Sequence, residues 1–265
     1  MKYLINVFGA VAFIFVLILL ILTAAPTLPS TQPDTITVSA AASLTDAFKD
    51  ITAEFEKSNP EVSVELNLAS SGSLRLQIEA GAPIDVFASA SQKHMDILGG
   101  NGLILNESRQ DFAGNSLVLI TQKNRNINTI DDLFSENVER IAIGNPDTSP
   151  VGRYARQSLM EAGHWDNVKD KVIFAETVKQ VLTYVERGEV DAGFVYMTDV
   201  DGAKPDSIDV VCSVPLSIPI RYPIAVVSSS SNKAIAEKFN NFVTGEHGRK
   251  ILNEHGFWLP DQDVV

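Results

Sequence analysis

Four corners of this sequence place a small hydroxyl residue where a β-branched stretch gives way to a helical pattern. The first is Ser39-Ala40-Ala41-Ala42-Ser43-Leu44-Thr45-Asp46, which follows Ile36-Thr37-Val38. Ser43 stands where an N-cap belongs, and Asp46, three residues on, approximates the second half of a capping box. A strand that ends at a free helix N-terminus suits an anion, because unpaired N–H groups and the positive end of the helix dipole point out of it together. The second corner, Asn67-Leu68-Ala69-Ser70-Ser71-Gly72-Ser73-Leu74, follows the alternating stretch Val62–Leu66. Its small residues let a backbone come close to a ligand. The third, Asn145-Pro146-Asp147-Thr148-Ser149-Pro150-Val151-Gly152, allows Ser149 as N-cap and Pro150 as first helical residue, leaving the Val151 amide at the open end. The fourth, Thr177-Val178-Lys179-Gln180, has capping-box spacing. Taken singly, each corner is equally an ordinary α/β turn. The repetition is what points to a shared anion site.

Signals for catalysis are weaker. Ser71-Gly72-Ser73 is not a Gly-x-Ser-x-Gly elbow, and no histidine stands in a recognisable relation to it. No phosphate-binding Gly-x-x-x-x-Gly-Lys loop or zinc signature occurs. The four histidines, His94, His164, His247 and His255, form no closely spaced pair and are expected at the surface or at helix ends rather than on a metal. A hydrolase therefore ranks behind a binding protein, and no enzyme activity is expected.

The elements that must position these corners alternate between strand and helix, the signature of α/β layers. Expected strands are Ile36–Ser39, Val62–Leu66, Val86–Ala88, Leu117–Thr121, Ile141–Ile143, Val172–Phe174, Ala192–Val195, Val210–Ser213 and Ile224–Val227. Expected helices are Leu44–Lys57, Ser73–Ala80, His94–Gly99, Ile130–Phe134, Val151–Ala162, Val178–Arg187 and Lys233–Asn253. Phe48, Ile51 and Phe55 recur three and four apart and should face a core, as should Tyr154, Ala155, Ser158 and Leu159.

At 265 residues the chain has room for two lobes of about 100 residues each. Its 33 acidic against 21 basic residues give a net charge of −12, which argues against nucleic acid as partner. It does not argue against an anion held by neutral donors, since distant surface carboxylates are screened over about 10 Å at moderate salt. The single cysteine, Cys212, allows no internal disulfide and is expected as a small buried hydrophobe.

From Leu4 to Leu22 the only non-apolar residues are Asn6 and Gly9, with Lys2 the one charge before them. That length suits a membrane-spanning helix of about 17–25 residues better than a secretory core of about 7–15. A cleavage possibility stands near Thr23-Ala24-Ala25, no cysteine follows to carry a lipid, and Pro26–Pro33 reads as an extended tether. Residues 1–35 are thus expected to be a membrane anchor, or a cleaved signal, plus a tether.

Several strings together resemble the molybdate-binding proteins of ABC importers. They are Thr37–Leu44, Ala69–Leu74, Gln77–Ala90, Gly114–Val118, Gly144–Pro146, Val151–Ala155, Val185–Glu189, Gly193–Tyr196 and Tyr222–Val226. The resemblance implies an α/β, two-lobe periplasmic-binding-protein fold of type II, with two crossings at the hinge, near Ser116 and near Tyr222-Pro223. One lobe would take residues 36–115 and 224–265, the other 116–223. It implies capture of molybdate, and of tungstate, for delivery to a membrane permease by an extracytoplasmic monomer. The alternative is another tetrahedral oxyanion such as sulfate. Carried over by motif position, the ligand contacts would be Ser43 and Ser71 through hydroxyl and amide, Val151 and Val178 through their amides, and Tyr196 through its phenol. No cofactor and no metal beyond the oxyanion itself is implied. Arg75, Arg153 and Lys179 stand near these helix starts at exposed-looking positions and are read as solvated or as long-range attractors, and a carboxylate contribution from Asp147 stays open.

Overall fold

The computed structural model describes residues 33–260. The segments Leu4–Leu22 and Pro26–Pro33, read above as anchor and tether, lie outside the described residues apart from Pro33. Among the described residues no helix is long and apolar enough to cross a membrane.

Among the described residues ten strands form two five-stranded sheets. They are β1 (Asp34–Ala41), β2 (Val62–Ala69), β3 (Val86–Ala88), β4 (Gln110–Asn115), β5 (Leu117–Gln122), β6 (Ile141–Gly144), β7 (Val172–Ala175), β8 (Ala192–Tyr196), β9 (Ile208–Ser213) and β10 (Ile220–Val226). The first sheet runs β2-β1-β3-β10-β4 and the second β7-β6-β8-β5-β9. In each, three parallel strands are followed by two joined antiparallel: β1 is parallel to β2 and β3, and β6 to β7 and β8. β10 runs antiparallel to β3 and β4, and β5 antiparallel to β8 and β9. From Val38 onward β1 is buried residue after residue, as a strand covered on both faces must be.

The chain passes from the first sheet to the second at Ser116 and returns between Ser213 and Ile220. Tyr222 and Pro223 lie inside β10, at a register shift against β4. A bulge is where a proline, lacking its N–H, is tolerated in a sheet.

The helices are α1 (Thr45–Ser58), α2 (Ser71–Glu79), α3 (Gln92–Gly100), α4 (Pro150–Glu161), α5 (Trp165–Val168), α6 (Val178–Glu186), α7 (Met197–Val200), α8 (Lys233–Thr244) and α9 (Glu246–Glu254). Phe48, Ile51 and Phe55 of α1 are fully buried. Phe48 meets Phe112 edge-on at 5.9 Å between ring centroids, and Phe55 meets Phe239 at 5.1 Å. Each such side chain contributes about 1.5–3 kcal/mol by leaving water. Leu74 and Ile78 of α2 pack with Met95 and Leu98 of α3 over Phe87 and Ala225.

The sequence reading needs correction at several elements. β4 was not expected, because Gln110-Asp111-Phe112-Ala113-Gly114-Asn115 has no β-branched residue; pairing with β10 makes it a strand. The expected helix over 233–253 is two helices, broken at Gly245, which is extended (φ −81°, ψ −177°). Ile130–Phe134 shrinks to one 3-10 turn, Asp131–Phe134. Cys212 is half-buried and packs at the edge of the core.

What this architecture does for function is simple. The parallel strands β1, β2, β6 and β7 all end where helices begin, and the two sheets bring those ends face to face.

Candidate functional site

The route from β1 into α1 differs from the expected cap. A 3-10 turn, Ala42–Leu44, intervenes, α1 starts at Thr45, and no side chain caps it. The tighter turn sends the Ser43 side chain toward β10, where its hydroxyl lies 3.1 Å from the Tyr222 hydroxyl. Asp46 does not close a capping box; it accepts from Lys179 Nζ at 2.9 Å. That bond, together with the charge of Lys179, holds the Asp46 carboxyl below the usual range against partial burial.

At the second corner Ser70 is the cap, accepting from the Ser73 amide at 3.3 Å. Ser71 is thereby freed from capping and is the first residue of α2. Its Oγ accepts from the Ala90 amide at 3.0 Å, which leaves the hydroxyl proton to be given elsewhere.

Ser149 and Pro150 open α4 as the pattern suggests, but the Ser149 side chain makes no capping bond. Val151 lies in the first turn, so its amide has no partner within the helix. Gly152 permits this: a methyl there would overlap the Gly144 carbonyl. Thr177 caps α6 through the Gln180 amide at 3.2 Å, and Val178 is the first helical residue. Gln180 reaches the Glu176 amide at 2.8 Å, one residue further back than a strict capping box.

Tyr196 is the last residue of β8. Its hydroxyl is buried and meets no hydrogen-bond partner among the described residues. Burial, reinforced by the neighbouring Tyr222, raises this phenol well above its ordinary value. It therefore stays protonated and is a donor throughout the neutral range.

These five residues meet. Ser43, Ser71, Val151, Val178 and Tyr196 line one small cavity, about 10 Å³ for the centre of a water-sized sphere, with Ser70, Ser149 and Thr177 among its other walls. No lining residue is charged, and Asp147 is not one of them. Ser149, whose hydroxyl sequence reasoning treated only as a cap, belongs to the wall. Tyr222 and Asn115, behind Ser43, were also passed over as site residues, although both fall within strings singled out in the sequence.

The surrounding charges correct three expectations. Lys179 is not solvated: its Nζ lies 2.9 Å from Asp46 and 3.5 Å from the fully buried Asp199. Arg153 bonds the Ser91 hydroxyl, and Arg75 pairs with Glu79 at 2.5 Å. His94 is buried, with neither ring nitrogen partnered; burial, then the charges of Arg153 and Arg75, push it down to about 4, so it is neutral. Asp199 is raised to about 6 by burial, against the pull of Lys179, and accepts from the Tyr196 amide at 3.2 Å.

The arrangement offers hydroxyl and amide hydrogens from both sheets and no carboxylate or imidazole. That suits an anion without protons. One that keeps a proton needs an acceptor here, and the walls provide no charged one.

Comparison with known proteins gives the same direction. Residues 36–258 match the family described as bacterial extracellular solute-binding protein. The chain belongs to that family. It is 39% identical over 232 residues to the molybdate-binding protein ModA of Escherichia coli, covering 84% of this chain and 89% of that protein. It is 35% identical to the putative ABC transporter substrate-binding lipoprotein YvgL of Bacillus subtilis, covering 84% and 86%. The solved periplasmic molybdate-binding protein of Azotobacter vinelandii superposes with a TM-score of 0.76 at 27% identity, covering 85% and 99%. As a solute-binding protein of this family the chain has the type II periplasmic-binding-protein fold and an extracytoplasmic, transport-related role.

Proposed function

We propose that this chain captures molybdate, and tungstate with it, in the cavity between the two sheets and hands it to the permease of an ABC importer. The observation that carries this is the wall itself: two serine hydroxyls, two helix-start amides and one unpartnered phenol converge, and no charged group joins them. The names of the relatives support the choice of oxyanion. Residues 36–115 with 220–265 and residues 116–219 would act as the two lobes, the expected boundary at 223/224 moving to the start of β10, which belongs to the first sheet. Ligand held by Ser43 and Ser71 on one side, and by Val151, Val178 and Tyr196 on the other, draws them together, and the permease recognises the closed form.

Calorimetric titration with molybdate, tungstate, sulfate and phosphate tests the reading. Molybdate and tungstate should bind tightly and phosphate weakly, with little change between about pH 7 and pH 9, where no wall group titrates. Sulfate binding as tightly as molybdate would reassign the ligand. For location, Leu4–Leu22 is proposed as an uncleaved anchor with Pro26–Pro33 as tether, keeping a monomeric domain at an effective concentration of about a millimolar beside the permease. Full-length protein should stay in the membrane pellet after a high-salt wash. A soluble form beginning near Ala25 would mean a cleaved signal instead.

A further inference from the structure

Behind Ser43 lies a chain of hydrogen bonds whose direction is fixed by its far end. Asn115 Oδ1 accepts from the Ser116 amide at 2.9 Å, which settles which end of the carboxamide faces inward. Asn115 Nδ2 then donates both its hydrogens, one to Thr198 Oγ1 at 2.7 Å and one to the Tyr222 hydroxyl at 3.2 Å. Tyr222 is buried, and burial raises its phenol well above the ordinary value, so it keeps its single hydrogen. Its oxygen already accepts from Asn115, and its hydrogen still needs an acceptor. Among the described residues the one remaining partner is Ser43 Oγ, at 3.1 Å. The phenol therefore donates and Ser43 accepts. The Ser43 proton is thereby turned away from Tyr222 and is free for the cavity that Ser43 lines; a second opening beside Asp46 and Thr198 is the one competing direction.

We propose that Asn115 and Tyr222 are positioning residues that set the polarity of the ligand site, holding Ser43 as an obligate donor and thereby discriminating against protonated oxyanions. Ser71 is polarised in the same sense by the Ala90 amide. The relay is also tied to the hinge. Asn115 ends β4 immediately before the crossing, and Tyr222 lies on β10 just after the return. Thr198, the other acceptor of Asn115, follows β8 of the second sheet. The Tyr222 ring is clamped edge-on by Phe257 at 5.5 Å and by Tyr196, the opposing donor, at 5.9 Å. Orientation of the Ser43 hydroxyl is thus built into the strands that join the lobes. A hydroxyl able to turn would present either a hydrogen or a lone pair to the ligand, and a hydrogen phosphate could use the lone pair. A hydroxyl held by this relay has its hydrogen aimed at the ligand and one of its two lone pairs taken by Tyr222.

The inference rests on the oxyanion reading above, and its test separates the two. Wild type, Tyr222→Phe, Ser43→Ala and the double variant are titrated with molybdate and with phosphate. Tyr222→Phe should lose roughly tenfold in molybdate affinity, the size of one weakened bond to a charged ligand, while phosphate is hardly affected, so the preference narrows. The double variant should bind no worse than Ser43→Ala alone, because Tyr222 acts through Ser43. Asn115→Asp reverses the relay: a carboxylate accepts the phenol proton, the phenol accepts from Ser43, and the selectivity ratio should shift toward hydrogen phosphate. The added charge by itself weakens both anions alike. Wild-type affinity and selectivity in Tyr222→Phe, or additive losses in the double variant, would overturn the proposal. A readout without ligand accompanies these. Asn115 and Tyr222 sit on paired strands of one sheet, so the Asn115 side-chain amide resonances should move in ligand-free Tyr222→Phe. Unmoved resonances refute the relay whatever the ligand. Failure of the wild type to bind any of the oxyanions refutes the function reading alone.

Discussion

At the residue scale the wall divides into side chains that donate and side chains that only accompany a donating amide. Ser43→Ala and Ser71→Ala should each lower molybdate affinity by about 1.5–3 kcal/mol, or roughly ten- to a hundredfold, in calorimetry with the fold intact. Tyr196→Phe belongs with them, because its buried hydroxyl has no other partner. Val151→Ala should leave affinity nearly unchanged, since the amide survives the substitution; its cost appears in stability, as Val151 is buried. Asp199 gives a pH signature. Its folded value of about 6 stands above the ordinary 3.8, so between those values the folded state binds more protons than the unfolded one. Stability contributed by this group is thus present at low pH and lost as pH rises through that window, at up to about 1.4 kcal/mol per pH unit. Denaturant titrations of Asp199→Asn should lack that decline between pH 4 and 6 while keeping the rest of the wild-type profile.

Elements matter through how closely their ends approach. Gly72, in the first turn of α2, donates its amide to the Thr148 carbonyl at 2.8 Å, joining a helix of the first sheet to the loop before α4 of the second. A methyl at this position would overlap that carbonyl, which is backbone and cannot swing aside. Gly72→Ala should therefore push the two helix starts apart, lowering ligand affinity at least tenfold while circular dichroism and the thermal transition change little. Gly152 is tight against Gly144 within one sheet layer, so Gly152→Ala should instead lower overall stability. The two glycines look alike in sequence, and the melting temperature tells them apart.

Over the whole molecule the question is what holds the two sheets in register around the cavity. The Lys179–Asp46 bond spans them, as do the Arg153–Ser91 and Asn115–Thr198 contacts. Asp46 is half exposed, and such a pair is worth about 0.2–1 kcal/mol after solvent screening. Asp46→Ala should accordingly reduce affinity only a few-fold, an effect that shrinks in high salt, whereas loss of the cavity donors is salt-insensitive. Small-angle scattering of ligand-free protein, with and without Asp46→Ala, reads the same balance as a shift toward a more extended form. A wild-type-like affinity at low salt would show that closure depends on the ligand contacts and not on this pair. The acidic surface, carrying most of the −12 charge, takes no part in the site and serves solubility.

Much was determined by the sequence itself. Strand and helix alternate in it because period-two and period-3.6 patterns are local, and so β1, β3, α4 and α6 lie within a residue or two of where pattern and capping residues put them. The serines and helix starts of the site were legible for the same reason, as small hydroxyl residues between a β-branched run and an amphipathic one. Tertiary structure decided the rest. Gln110–Asn115 is a strand only because β10 supplies the hydrogen bonds. The 3-10 turn before α1 released Ser43 from capping and gave it to Tyr222. His94 is buried rather than exposed because α3 lies on the core through Met95 and Leu98, within range of the charges of Arg153 and Arg75. The polarity of the cavity was illegible, since a serine in a sequence is donor and acceptor alike. Only the three-dimensional partners Ala90, Tyr222 and Asn115, far apart along the chain, assign each hydroxyl its direction.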